Sequence, residues 1–238
     1  MPTVSVVIPT MNEEGGIREC LTKILDVFDK SGIKGEIVVS DNSSDRTPQI
    51  ARALGVRVIT PDKLGYSNAL VYGISQAQGQ YVVIGDADGT YDFRIIPQLI
   101  EPLVKNEAEL VIGSRFKGEI KKGAMPWLHR YIGNPLLTWG LNRKLGTRVS
   151  DAHSGARAFT KEAWDKMDLR LIAEDFCSEM LKQMARNRAR IAEIPITYYP
   201  RQGKMKAGTF VHGWRCFRFL LLRVILERNS TRLTREVV

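Results

Sequence analysis

No stretch of this chain reads as a membrane span. Crossing a bilayer as a helix takes about 20 predominantly apolar residues, and the longest uninterrupted apolar run near the C-terminus is only Phe219–Leu222. The opening Met1–Thr10 is a short apolar run ending around Pro9, which fits a first strand better than a secretory h-region. Cysteine is scarce: Cys20, Cys177 and Cys216 stand far apart with neither metal-ligand nor redox spacing, so reduced thiols packed as small hydrophobes are expected. Also missing are the G-x-G-x-x-G dinucleotide fingerprint and the G-x-x-x-x-G-K-[ST] phosphate loop, which argues against dinucleotide or kinase-type binding. No G-x-S-x-G surrounds Ser154-Gly155, so that serine is not read as a nucleophile.

What is present suits one large α/β domain of 238 residues. Hydrophobic residues make up 44% of the chain, enough for a sizeable core and too many for a disordered polymer. The charge is uneven. Of the net +9, the stretch from Tyr199 to the C-terminus carries +7, through nine Lys/Arg against Glu227 and Glu236. Such a tail favours an anionic partner: a phosphate-bearing substrate, an acidic membrane surface or nucleic acid. The blander reading is a solvated helix face.

Strand and helix signals alternate through the first half. Val4–Ile8, Glu36–Ser40, Val56–Thr60, Tyr81–Gly85 and Leu110–Gly113 read as strands; between them lie helical patterns such as Ile17, Leu21, Ile24, Leu25 and Phe28. Thr47-Pro48 reads as a capping hydroxyl before a proline at the first helical position. This alternation predicts a mostly parallel sheet flanked by helices, with ligands beyond the carboxyl ends of the strands. Phe116–Met125, rich in Lys and Gly, reads as a loop. Further on, helices are expected at Pro135–Leu145, Glu162–Met167 and Glu174–Arg188, and strands at Arg157–Phe159 and Ala189–Tyr199. Thr209–Arg228 reads as a basic helix, dividing the chain into residues 1–208 and an appendage at 209–238.

The strongest chemical signal is Asp86-Ala87-Asp88, two carboxylates immediately after a buried strand. Mg²⁺ or Mn²⁺ typically takes one or two protein carboxylates and completes its shell with phosphates and water. Such an ion on a diphosphate would neutralise charge on the leaving group. An isolated D-x-D is common, and its alternative is a turn or a helix cap. Polar clusters also close the first two strands, at Pro9–Glu14 and Ser40–Asp45, where acids can accept hydrogen bonds from a base or ribose.

These runs resemble the inverting family-2 glycosyltransferases of the GT-A fold, a Rossmann-like sheet. The opening Val4–Glu13, Asp41–Thr47 and Asp86–Asp88 carry the likeness. Gly113–Arg115, Ser150–Arg157, Glu193–Tyr198 and the segment from Gly213 to Leu222 make it most similar to the branch acting on polyprenyl phosphates, the dolichol- and undecaprenyl-phosphate mannose or glucose synthases. That resemblance implies roles. Pro9, Asn12, Glu13 and Asp41 would line the nucleoside pocket, and Asp86, Ala87 and Asp88 would hold the metal and donor diphosphate. Arg201 and Lys206 would close over the diphosphate, while Arg115, with His129 or Arg130, would meet the acceptor phosphate. Mannose synthases of the branch often carry Gln where this chain has Thr90.

The expected activity is metal-dependent transfer of a hexose from a nucleotide diphosphate sugar (UDP-glucose or GDP-mannose) to a polyprenyl phosphate with inversion. The chain would sit peripherally on the cytoplasmic face of a membrane, its basic helix on an anionic surface or in a dimer or membrane-partner interface. In the alternative the acceptor is a hydroxyl and Glu174 or Asp175 is the base, although acids are also favoured at helix N-termini. A remote alternative is a non-enzymatic nucleotide or nucleic-acid binder; no recognised nucleic-acid motif supports it, and nucleic acid is not an expected partner.

Overall fold

A computed structural model describes residues 2–168 and 175–202. Seven strands form one sheet in the order β3-β2-β1-β4-β6-β5-β7. β1 (Val4–Thr10) runs parallel to β2 (Gly35–Asp41) and β4 (Tyr81–Ile84), and β2 parallel to β3 (Arg57–Ile59). β6 (Arg157–Thr160) runs antiparallel between β4 and β5 (Leu110–Ile120), and β7 (Ile191–Tyr198) closes the edge parallel to β5. The sheet is therefore mostly parallel, as the alternating pattern predicts, with one reversed strand.

Helices cover both faces, which is why β1 is β-branched at nearly every position rather than alternating. Val6 and Ile8 face a core shared with α1 (Ile17–Ser31) and α4 (Ile96–Val104). Val7 points the other way, into a core shared with α3 (Tyr66–Ser75), Trp164 of α6 (Lys161–Asp165) and α7 (Phe176–Arg186). On α1 the fully buried Ile17, Leu21 and Ile24 lie at helical spacing, each contributing about 1.5–3 kcal/mol of burial. The helix ends where Gly32 adopts φ 62, a left-handed cap that a side chain would strain.

Two sequence expectations are corrected. Phe116–Ile120 is not loop: it extends β5, pairing Glu119 with Thr197 and Ile120 with Tyr198 beyond a register shift. Lys117, Gly118 and Glu119 are exposed there, so the segment lacks the apolar signature of a buried strand although its backbone is paired. Nor does Thr47 cap α2 (Thr47–Ala53). The Asp45 carboxylate accepts from the Thr47 backbone N–H at 2.9 Å, and the Thr47 hydroxyl is used in the site. The boundary at 208/209, Thr209–Arg228, Lys206 and Glu174 lie outside the described residues. Among the described residues no helix is long and apolar enough to cross a membrane.

Candidate active site

The carboxyl ends of β1, β2 and β4 meet at one edge, with Thr10 level with Asp41. The Thr10 hydroxyl donates to Asp41 Oδ1 at 2.6 Å, and the Ser43 hydroxyl donates to the same oxygen. Asn12, at φ 57, turns the chain after β1, and its Oδ1 accepts from the backbone N–H groups of Ser44 and Asp45. The Glu13 N–H donates to the Thr47 hydroxyl at 2.9 Å, and that hydroxyl donates onward to Asp45. Pro9 lies buried one residue before the end of β1. The four residues expected to line a nucleoside pocket thus belong to one wall, stitched together by hydrogen bonds between the loops after β1 and β2.

Beside that wall stands Asp86-Ala87-Asp88. Asp88 is buried, and its Oδ1 accepts from the Thr90 N–H at 3.0 Å and the Thr90 hydroxyl at 2.6 Å. This local turn explains why Thr can occupy position 90: it fixes the rotamer of Asp88. Arg201 spans the gap, with Nη2 3.0 Å from Glu13 and Nη1 3.4 Å from Asp88 Oδ2. The Gln202 N–H donates to the Asp88 carbonyl at 2.7 Å, tying the chain after β7 to the motif. Asp86 hydrogen-bonds the Tyr66 hydroxyl from the start of α3. Burial, then the charge of Asp88, push its carboxyl up to about 7, against the Tyr66 hydrogen bond and Arg201. The close packing leaves Gly16 no room for a side chain, because a Cβ there would lie 2.8 Å from the Ala87 carbonyl oxygen.

Among the described residues, three acids and one arginine leave this cluster with excess negative charge. Two carboxylates at the end of one strand fit a Mg²⁺ or Mn²⁺ ion completed by diphosphate oxygens and water. Among the described residues no group of three or more His, Cys, Asp or Glu is placed to hold a metal, so phosphate ligands are a natural complement to this donor set.

Arg115 lies on the far side of Asp86. The Tyr91 hydroxyl accepts from the Gly155 N–H at 2.8 Å, and a Cβ on Gly155 would lie 3.1 Å from Asp86 Oδ2. Tyr91 packs on Tyr198 with centroids 5.4 Å apart, and the Arg115 guanidinium sits 5.2 Å from the Tyr198 centroid. Arg115 itself is buried in a two-pronged pair with Asp151, Nε and Nη2 each 2.7 Å from a carboxylate oxygen. Burial alone would lower the guanidinium's pKa and raise the carboxyl's. The paired hydrogen bonds and charges win, holding Arg115 above and Asp151 below their ordinary values. Glu193 accepts from the Ser150 and Asp151 N–H groups and fixes the neck of this loop. Arg157, fully buried, donates to three backbone carbonyls, of Ala152, Ser154 and Cys177.

The remaining expected residues lie elsewhere. Asp175 caps α7, accepting from Ser178 through its N–H and its hydroxyl, and His153 Nε2 is 3.7 Å from its carboxylate. His129 and Arg130 lie on a π-helical turn, His129–Gly133, where the Arg130 guanidinium covers the Tyr131 ring at 5.3 Å. Sequence reasoning did not select Tyr66, Tyr91, Asp151 or Tyr198 as site residues. Asp151 and Tyr198 did fall inside runs that carry the family resemblance, but the pairing of Asp151 with Arg115 spans 36 residues and has no local signature.

Known proteins align with this picture. The sequence model described as "Glycosyl transferase family 2" matches residues 5–167. The low-salt glycan biosynthesis hexosyltransferase Agl6 of Haloferax volcanii is 46% identical over 221 residues; the match takes in 93% of this chain but only 54% of that protein, so the chain spans about half its length. A dolichyl-phosphate hexose transferase of the same organism is 33% identical over 212 residues, covering 88% of this chain and 89% of that one. Among solved structures, glucosyl-3-phosphoglycerate synthase of Mycobacterium tuberculosis, crystallised with Mn²⁺, UDP and glucosyl-3-phosphoglycerate, superimposes with a TM-score of 0.72 over 94% of this chain and 80% of that one, at 23% identity. That likeness speaks to the fold alone. With its GT-A sheet, its carboxylate pair at the end of β4 and the family match over most of its length, the chain belongs to the family-2 glycosyltransferases.

Proposed function

We propose that this glycosyltransferase moves a hexose from a nucleotide diphosphate sugar to a polyprenyl phosphate, with inversion and with Mg²⁺ or Mn²⁺ at Asp86 and Asp88. The observation that carries the reading is the adjacency of two opposite environments. An acid-rich cluster suited to a cation and a diphosphate stands across the Tyr91–Tyr198 pair from a rigid, buried arginine. The name of the dolichyl-phosphate hexose transferase that shares 33% of its residues with this chain supports the acceptor class.

In this reading the loops after β1 and β2 hold the nucleoside, with Asp41 as an acceptor for a base or ribose hydroxyl. The metal, held by Asp86 and Asp88, supplies charge neutralisation on the departing diphosphate. Arg201 exchanges its carboxylate partners for diphosphate oxygens. Asp151 occupies two of the five guanidinium N–H donors of Arg115 and fixes its plane, leaving others for the acceptor phosphate. A phosphate oxygen forms the new bond to the anomeric carbon as the bond to the nucleoside diphosphate breaks. A phosphate monoester has a second pKa near about 6, so the attacking oxygen is already ionised at neutral pH and needs no general base. Orientation and charge placement would supply the rate.

The test is release of nucleoside diphosphate from UDP-glucose, GDP-mannose and UDP-N-acetylglucosamine, with Mn²⁺ or Mg²⁺, with and without a short, water-soluble polyprenyl phosphate. One donor should turn over only with metal and acceptor. Asp88→Ala should lower kcat/KM by about a thousandfold, in line with the loss of one preorganised electrostatic contact. Donor binding without acceptor-dependent turnover would sink the polyprenyl-phosphate reading.

A hydroxyl acceptor is the second reading, favoured by one contact: Asp175 beside His153 is the arrangement of an acid poised as a base. Under that reading Asp175→Asn abolishes transfer to a sugar hydroxyl. Under the first it leaves transfer to the phosphate largely intact.

A further inference from the structure

The segment from Ile120 to Ser150 leaves the sheet at the end of β5 and returns at the Arg115–Asp151 pair. Its returning end is pinned to β5, the Ser150 hydroxyl lying 2.6 Å from that of Ser114. Its helical part is the π-turn His129–Gly133 followed by α5 (Asn134–Leu145). Only Thr138 and Leu141 of α5 are buried. On the other side six large apolar side chains face solvent: Trp127 at 65% exposure, Leu128, Tyr131, Ile132, Leu136, and Trp139 at 65%. Leu128, Ile132, Leu136 and Trp139 recur at i, i+4, i+8 and i+11, the spacing of one helical stripe. Trp127 and Tyr131 flank it with ring centroids 5.8 Å apart.

A patch of this size demands a covering partner, and the charges say which kind. From residue 120 to residue 150 there is no Asp or Glu at all, while Lys121, Lys122, Arg130, Arg143, Lys144 and Arg148 are all cationic. Exposed Trp and Tyr among aliphatics, ringed by cations of one sign, match the chemistry of a bilayer interface: apolar side chains enter the acyl boundary, aromatic rings sit at headgroup level, and cations meet anionic lipid. A protein partner needs no such exclusion of acids.

We infer that the 127–139 face is the docking surface for an anionic lipid bilayer. This goes beyond the transfer reaction and rests on that reading only for its purpose: a segment seated on the membrane and anchored at Arg115 would bring a lipid-borne phosphate to the acceptor side of the site.

The experiment is vesicle co-sedimentation of the full chain, without donor or acceptor, on phosphatidylcholine vesicles with and without phosphatidylglycerol. It is paired with quenching of tryptophan by brominated lipid. Wild-type protein should bind the anionic vesicles and be quenched, while Leu136→Ser/Trp139→Ser and Arg143→Glu should each bind at least about tenfold more weakly. All variants should keep wild-type turnover on the short, water-soluble acceptor, and circular dichroism should show the fold retained. Three outcomes would overturn the inference. Vesicle binding unchanged by both variants would place the membrane contact elsewhere. A wild-type dimer made monomeric by Leu136→Ser/Trp139→Ser would show that a second copy covers the face. Failure of the wild type to bind vesicles, with Trp139 shielded from acrylamide, would show that the chain's own 209–228 segment covers it. Because no sugar transfer is measured in the binding arm, its failure leaves the proposed reaction standing, and failure of the reaction leaves the binding result readable.

Discussion

The two ends of the candidate site treat charge in opposite ways. At Asp86 and Asp88, carboxylates crowd together with Glu13, and Arg201 pairs with Glu13 and Asp88. At Arg115, the charge is buried but matched by Asp151, prong for prong. In the proposed reading the first end is unfavourable as it stands and becomes favourable when cations and phosphates arrive. The second is satisfied beforehand and changes little on binding. Rate enhancement by preorganised charge needs the second kind of site; metal-dependent loading of a donor needs the first.

The comparison breaks most sharply at Asp151. Asp151→Ala leaves Arg115 buried without its partner and should cost about 3–5 kcal/mol of stability, seen as a lower midpoint in urea denaturation. Pairing Arg115→Met with Asp151→Leu should recover most of that loss while transfer stays abolished. Stability restored together with activity would refute a role for Arg115 in the reaction.

A smaller effect of opposite sign is expected at Asp86. Its carboxyl is raised from an ordinary 3.8 to about 7, so the folded state holds a proton that the unfolded state has already released. Between those values the folded protein binds more protons, and stability contributed by this group falls as pH rises. Above about 7 the whole penalty is present. Asp86→Asn should therefore stabilise the metal-free protein at pH 8 and have no effect below pH 4, as followed by Tm across that range. Mn²⁺ should raise the Tm of the wild type and leave that of the variant unmoved.

The mildest change is Thr90→Val, which removes the hydroxyl that orients Asp88. One lost hydrogen bond to a charged group is worth about 1.5–3 kcal/mol. The apparent metal affinity in the transfer assay should drop accordingly, with denaturation nearly unchanged. A large loss of stability instead would mean that Thr90 serves the fold rather than the donor site.

Legibility followed the same divide. The Asp86–Asp88 end was readable because each part is local. β-branched runs predict β1, β2 and β4, and the polar clusters sit where those runs stop. The Arg115 end was only partly readable. Arg115 stood out through family resemblance, yet Asp151, Glu193 and Tyr198 reach it across long sequence separations that no periodicity records. Phe116–Ile120 misled because an edge pairing with β7 holds its backbone while its side chains stay wet. Thr47 misled because a hydroxyl in front of a proline looks like a cap, whereas tertiary context hands that hydroxyl to the loop after β1.

The neck formed by Ser114–Ser150 and Arg115–Asp151 has a consequence for how this enzyme can change over time. Beyond the end of β5, residues 121–149 hang from the sheet like a cassette from its socket. Doubling the length of such an excursion raises its closure cost by only about 0.6 kcal/mol. The segment can therefore be lengthened, shortened or exchanged without disturbing the strands that carry Asp86 and Asp88. If the proposed roles hold, divergence in membrane seating and in acceptor can proceed in that cassette while the carboxylate pair at the end of β4 is inherited unchanged.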